Sequence, residues 1–434
     1  MRIIRSVAAR LAVPTLGCAI AAAQLCIVLS LPFVSAQGVK TPLGAYSRLH
    51  QWDSGLYSEI FQNGYQSSLP RGSLEGFSSE EMTNGTNVQM YPGYPFAARI
   101  VGRIAGLRTK YALILTAQIA NALFWIYVLL FLKRWRVLTG LKIASIAAIA
   151  LHPSAFFLVS AYSESLFLAS ILGFLYWSSI PKIASKEPGT SGSEGIRAVS
   201  STLLAAAHGF VMSATRIAGL PLAVAPLLSA LPIRWNRAWC RSLLRPAAIA
   251  LCAGAGGMLF FAYCAYAFGH WNLYMLRQQA GWGIVPDYGF FLHWTSGLYV
   301  PETFEELYLS DRWSQFATIL TFWFLMGACL FQWRDSNADR RKTRNERWPF
   351  FWCAGWIFYI SAAGLSGAGM RSMIRYTFPV YVLIILALVQ GMNALRSSPF
   401  RRPVFWPLLA AIFCLLAYLQ YIQILRFTNG EWVA

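Results

Sequence analysis

The chain alternates long apolar runs with polar loops. Runs at 11–36, 111–132, 143–160, 164–180, 199–213, 217–231, 246–268, 313–333, 349–366, 374–394 and 404–425 carry little or no charge. A hydrocarbon core of roughly 30 Å asks about 20 apolar residues of a spanning helix. The pattern therefore predicts an all-α polytopic membrane protein with about 11 transmembrane helices. Two gaps are long, and they set the layout: a first span in 1–36, a large first extracytoplasmic loop at 37–110, spans two to seven in 111–268, a second outer loop at 269–312, and spans eight to eleven with an outer tail in 313–434.

Charge orients this scheme. Lysine and arginine crowd one set of loops: Lys133, Arg134 and Arg136 with Lys142, the stretch 182–197, Arg234 to Arg245, Arg334 to Arg347, and Arg396 to Arg402. Basic loops stay cytoplasmic, so the N-terminus is expected inside and the C-terminus outside. The first run follows Arg2, Arg5 and Arg10 and ends in small residues, as a secretory signal does. It is longer than the ~7–15 residues of a signal core and is read as an uncleaved span. Residues 199–231 keep the charge rule only as two short helices broken near Ser213–Arg216. Arg99, Arg103, Arg108 and Lys110 fall outside against the rule. Arg99 and Arg103 share one helical face, and the stretch 94–108 is expected to lie as an interfacial amphipathic helix. Gly and Ser in 64–87 favour mobility there.

Composition narrows the class. The chain is 57% hydrophobic and 12% charged, against about 25% charged in soluble proteins. The net charge of +19 belongs to the basic loops and not to nucleic-acid binding. The eight cysteines form no CxxC pair and read as small apolar residues. No P-loop, HExxH, GxSxG or dinucleotide glycine pattern is present, and no carboxylate group has metal spacing. Neither cofactor nor metal is expected.

Chemistry is expected at the outer ends of the spans. Trp52-Asp53-Ser54-Gly55-Leu56-Tyr57 opens the first outer loop, and Tyr91-Pro92-Gly93-Tyr94-Pro95 closes it. Asp53 suits either a helix N-cap or a carboxylate at the water–lipid boundary. Glu164, after Tyr162-Ser163, suits either a cap or a polar cavity at membrane depth. Arg216, inside the broken helix, pairs with Glu164 or Asp53 or grips a phosphate with its planar fork. Arg371 and Arg375 stand four apart at the outer end of a span, as headgroup anchors or as phosphate ligands.

The order of these motifs, with Pro153-Ser154-Ala155-Phe156-Phe157, Ala214-Thr215-Arg216, the segment Gly269-His270-Trp271 through Gln279-Ala280-Gly281-Trp282-Gly283 and the tail Phe427 to Trp432, resembles the PIG-V family of GPI mannosyltransferase 2 and its prokaryotic relatives from about residue 45 to 432. The resemblance implies a GT-C fold, mannose taken from a polyprenyl-phosphate donor, and an active site holding Trp52 and Asp53. Asp53 is then the general base, and Tyr57, Tyr91, Glu164, Arg216, Arg371 and Arg375 are donor- or substrate-binding. The acceptor, a lipid or a glycan, is not carried over, because the short, basic-looped chain has a bacterial cast and bacteria make no GPI. Membrane lipids complete the expected partners. Another GT-C transferase, with a different sugar or a protein or lipid acceptor, and a non-catalytic lipid flippase or transporter are the competing readings.

Overall fold

The computed structural model describes residues 2–35, 39–179, 191–230, 237–292, 310–334, 341–395 and 405–433. The basic loops expected at 182–190, 234–236, 335–340 and 396–402, and part of the second outer loop, lie outside the described residues.

Among the described residues the fold is all-helical, with one isolated bridge between Ser67 and Thr86. In chain order the helices are α1 (Arg2–Ser35), α2 (Pro42–Ser47), α3 (Asp53–Asn63), α4 (Ser79–Gly85), α5 (Gly93–Ala105), α6 (Thr109–Arg134), α7 (Thr139–Ala150), α8 (Glu164–Ser178), α9 (Ser191–Thr215), α10 (Gly219–Leu222), α11 (Ala225–Ala230), α12 (Arg237–Phe268), α13 (Leu273–Trp282), α14 (Ser310–Arg334), α15 (Arg341–Leu365), α16 (Met373–Leu395) and α17 (Phe405–Thr428). Eight of these are long and apolar enough to cross a membrane: α1, α6, α9, α12, α14, α15, α16 and α17. The protein is an integral membrane protein. The apolar segments Thr139–Ala150, Glu164–Ser178 and Gly219–Ala230 are shorter. The runs 143–160 and 217–231 are not continuous helices. Pro153 disfavours helical backbone before it, and a 3-10 turn at Ala155–Leu158 follows.

A helix apolar on all sides belongs in the middle, and α6 is such a helix. Its Phe124, Trp125 and Phe131 meet Phe174 of α8 and Phe378 of α16 in the main core. α1 is stitched to this centre. Gln24 Oε1 accepts from Asn121 Nδ2 at 3.1 Å and from Trp125 Nε1 at 3.2 Å, while Gln24 Nε2 donates to the Ala155 carbonyl at 2.9 Å.

The long segment between α1 and α6 is docked rather than loose. Ser78 and Glu81 form a capping box on α4. Arg277 of α13 donates to the Thr86 carbonyl at 3.1 Å, Gln278 to that of Gln89 at 2.7 Å, and Arg71 to that of Ala267 at 3.2 Å. These bonds pin the Gly- and Ser-bearing stretch onto α13 and the end of α12. The stretch expected at 94–108 is α5. Its Phe96, Ile100 and Ile104 form an exposed apolar stripe, with Ile104 83% exposed, the arrangement of an interfacial helix.

Candidate functional site

Two distant segments meet to build the site. The Ala161 amide donates to the Leu49 carbonyl at 2.9 Å, Ser54 Oγ to the Ala161 carbonyl at 3.0 Å, and Tyr162 OH to the Gln51 carbonyl at 3.1 Å. These bonds hold the first turns of α3 and α8 side by side, with Asp53 and Glu164 at their N-termini. The positive end of a helix dipole favours an anion there. The first turn of α16 brings Arg375, and the break after α9 brings Arg216. The helix ends at Thr215. Gly93 is needed opposite this break, because a Cβ on it would lie 2.6 Å from Thr215 Oγ1 and 2.8 Å from the Ala214 carbonyl. The Pro-Gly closure of the outer loop thus packs directly on the arginine's segment.

The four charged groups form an alternating chain. Arg375 Nη1 donates to Asp53 Oδ2 at 2.8 Å, and Arg375 Nε stands 2.9 Å from Glu164 Oε1. The Nε–H is not aimed along that contact, so it is an ion pair without a hydrogen bond. Glu164 Oε1 also accepts from Arg216 Nη2. Arg216 Nε and Tyr57 OH both donate to Ser163 Oγ, at 3.2 and 3.1 Å. Both guanidinium carbons lie 5.0 Å from the Tyr376 ring centre. Phe157 and Tyr162 offer further faces to Arg375, and Phe167 to Arg216. Aromatic faces attract desolvated cations, so the rings offset part of the cost of burying two arginines.

The two carboxylates differ in access. The Glu164 side chain is 1% exposed and that of Asp53 is 11%. Glu164 Oε2 has no hydrogen-bond partner. Glu164 therefore sits behind the arginines as their shared counter-ion, while Asp53 reaches the surface of the site. Neither carboxylate is the cap that the sequence also allowed, since Asp53 and Glu164 bond to arginines and the N-cap residues Trp52 and Ser163 make no side-chain cap bond.

Other expected residues stand apart. Arg371 is exposed and precedes α16. Positive φ at Gly369 and Met370 before Arg371, and at Ser372 after it, keeps the chain there out of the helix, so the four-residue spacing of the two arginines does not put them on one helical face. Tyr91 is buried against Phe260 and Tyr274, away from the charges. Tyr57 lines the site through Ser163. Burial and then the Glu164 charge raise its pKa and keep its hydroxyl a donor. Trp52 is 48% exposed. Its indole Nε1 donates to the Glu431 carbonyl at 3.1 Å, and its ring meets Trp432 edge-on at 5.5 Å.

Sequence reasoning missed the aromatic shell. Tyr376 follows Arg375 directly, and Tyr162 and Ser163 precede Glu164, so proximity was a usable signal for these three. Tyr274 gave none. Its ring stands 4.9 Å from that of Tyr91, and burial first of all raises its pKa.

An apolar cavity of about 380 Å³ adjoins the site. Ile374 to Ile385 of α16 and Leu415 to Arg426 of α17 run along it, a length of about 17 Å at helical rise. Ile374 and Val433, the chain neighbours of Arg375 and Trp432, are among its lining residues. Among the described residues no three His, Cys, Asp or Glu side chains converge as a metal site would require. No family model matches the chain, and no curated protein matches its sequence.

Proposed function

We propose that the protein is a GT-C-type glycosyltransferase, of the kind the PIG-V resemblance implies, which moves a hexose such as mannose from a polyprenyl-phosphate donor to an acceptor hydroxyl. In this reading Asp53 accepts the acceptor's proton as that oxygen attacks the anomeric carbon. The bond from that carbon to the donor's phosphate oxygen breaks, and the phosphate leaves with the electron pair. Arg375 and Arg216 meet the leaving charge. The four charges balance to zero, so the extra positive field comes from the helix N-termini of α3, α8 and α16.

The observation that carries this reading is the Asp53 carboxylate, less deeply buried than Glu164 and backed by two aromatic-clad arginines. Arg375 engages Oδ2, and a carboxylate has lone pairs enough to take a proton at its other oxygen. The apolar cavity supports a lipid-borne donor, since a hydrocarbon chain would run along α16 and α17 with its phosphate near Arg375. The proposal includes eleven crossings, counting the three shorter apolar segments, with the N-terminus cytoplasmic and the site facing outward from a bacterial plasma membrane. The decisive experiment supplies purified protein with radiolabelled polyprenyl-phosphate mannose. Label should move to a hydroxyl acceptor or to water. Movement of intact donor between leaflets without cleavage would favour a flippase, which the broken α9–α10 segment also suits.

A further inference from the structure

Trp52 is held where its backbone is least at ease. Its φ of 50° and ψ of −114° lie off the regions open to residues with a Cβ, and glycine tolerates positive φ far better. It occupies the N-cap of α3, where Ser, Thr, Asn, Asp or Gly serve and an indole cannot bond to the helix amides; no cap bond is made. Nor is the strained backbone offset by full burial, because the side chain is 48% exposed. A purely structural position would favour glycine on each count. Strained backbone that persists points to a use for the side chain.

The ring is also fixed in place. The Glu431 carbonyl holds the indole N–H at 3.1 Å, and Trp432 stands across it at 87°. Trp432 is itself partly buried against the aromatic cluster beneath the site. The result is a flat, half-open aromatic face, one residue before Asp53, with an upright wall beside it. Anchoring in a membrane interface, the common use of tryptophan, needs neither the strained backbone nor adjacency to this carboxylate.

We propose that Trp52 is a stacking platform for the acceptor and that the acceptor presents a pyranose ring, whose apolar C–H face lies on the indole while one of its hydroxyls faces Asp53. This rests on the transferase reading and adds the acceptor's chemical class. Trp432 is the positioning residue that keeps the platform upright.

The test uses full-length protein in nanodiscs, with octyl α-D-mannopyranoside and octyl β-D-glucopyranoside as probes. Saturation-transfer NMR reads contact with the ring protons independently of turnover. Wild type should saturate the ring C–H protons of at least one probe more strongly than its octyl protons, and Trp52→Gly should remove that difference while Trp52→Phe keeps part of it. Thermal unfolding is the second readout: Trp52→Gly should unfold at the same temperature as wild type or a few degrees higher. Equal ring saturation in wild type and Trp52→Gly, or no preferential ring saturation in wild type, overturns the platform. So does a lower unfolding temperature in Trp52→Gly with unchanged ring saturation, which marks a structural residue. Failure of donor cleavage in wild type would sink the transferase reading and leaves a distinct signature, because ring saturation is measured without donor.

Discussion

Gln24, Asn121 and Trp125 form a neutral polar knot within the bundle, while Asp53, Arg375, Glu164 and Arg216 form a charged one at the ends of four helices. Both are buried and both join segments far apart in sequence. The neutral knot ties α1 to α6 and to the 3-10 turn with three hydrogen bonds and leaves one amide oxygen, that of Asn121, unpaired. The charged cluster leaves a carboxylate oxygen of Glu164 unpaired, a far costlier orphan. Apolar residues of similar volume often hold a fold as well as buried ion pairs do. Amide bonds between membrane helices suffice as glue at about 0.6 kcal/mol each. The contrast separates what holds the helices together from what the helices hold in place.

The largest effect should come from Glu164→Gln, which leaves two buried arginines with one carboxylate between them. Breaking such a set costs about 3–5 kcal/mol, so the variant should unfold well below wild type in detergent and lose transfer. Unchanged unfolding would show that the four charges are not one unit. Asp53→Asn should behave differently. It keeps shape and acceptor capacity toward Arg375 but cannot take a proton, so transfer should drop by about 10²-fold or more at equal membrane abundance, with unfolding close to wild type. Near-normal transfer would return Asp53 to a structural role. The smallest effect belongs to the neutral knot. Gln24→Leu should cost roughly 1–2 kcal/mol in stability and leave transfer within about twofold; a loss of transfer at full abundance would erase the distinction between the two clusters.

Much of this arrangement could be read along the chain, and the parts that could not share one cause. Apolar run length located the eight long helices. It overran the short ones, because the run 143–160 turns at Pro153 and through Ala155–Leu158. Asp53, Glu164, Arg216 and Arg375 each drew notice singly, as charges at the edge of an apolar run. Their mutual contacts span up to 322 residues, and no local pattern encodes such a distance. Spacing misled at Arg371, since four-residue neighbours share a face only inside a helix, and α16 begins at Met373. The backbone at Trp52 was invisible for a related reason: its indole bonds to a tail nearly 380 residues on, and propensity alone would have assigned that φ to glycine.

Arg99 bears on all of this from the far end of α3. Its guanidinium donates to the Phe61 carbonyl at 2.9 Å and to that of Ile60 at 3.0 Å, closing the helix that Asp53 opens. Arg99 belongs to α5, whose Phe96, Ile100 and Ile104 face outward. The two helices are thus tied at one end, and α3 runs about 16 Å from that tie to the carboxylate. Were α5 displaced, the carboxylate would shift with it against Arg375 and Arg216, which stand on other segments.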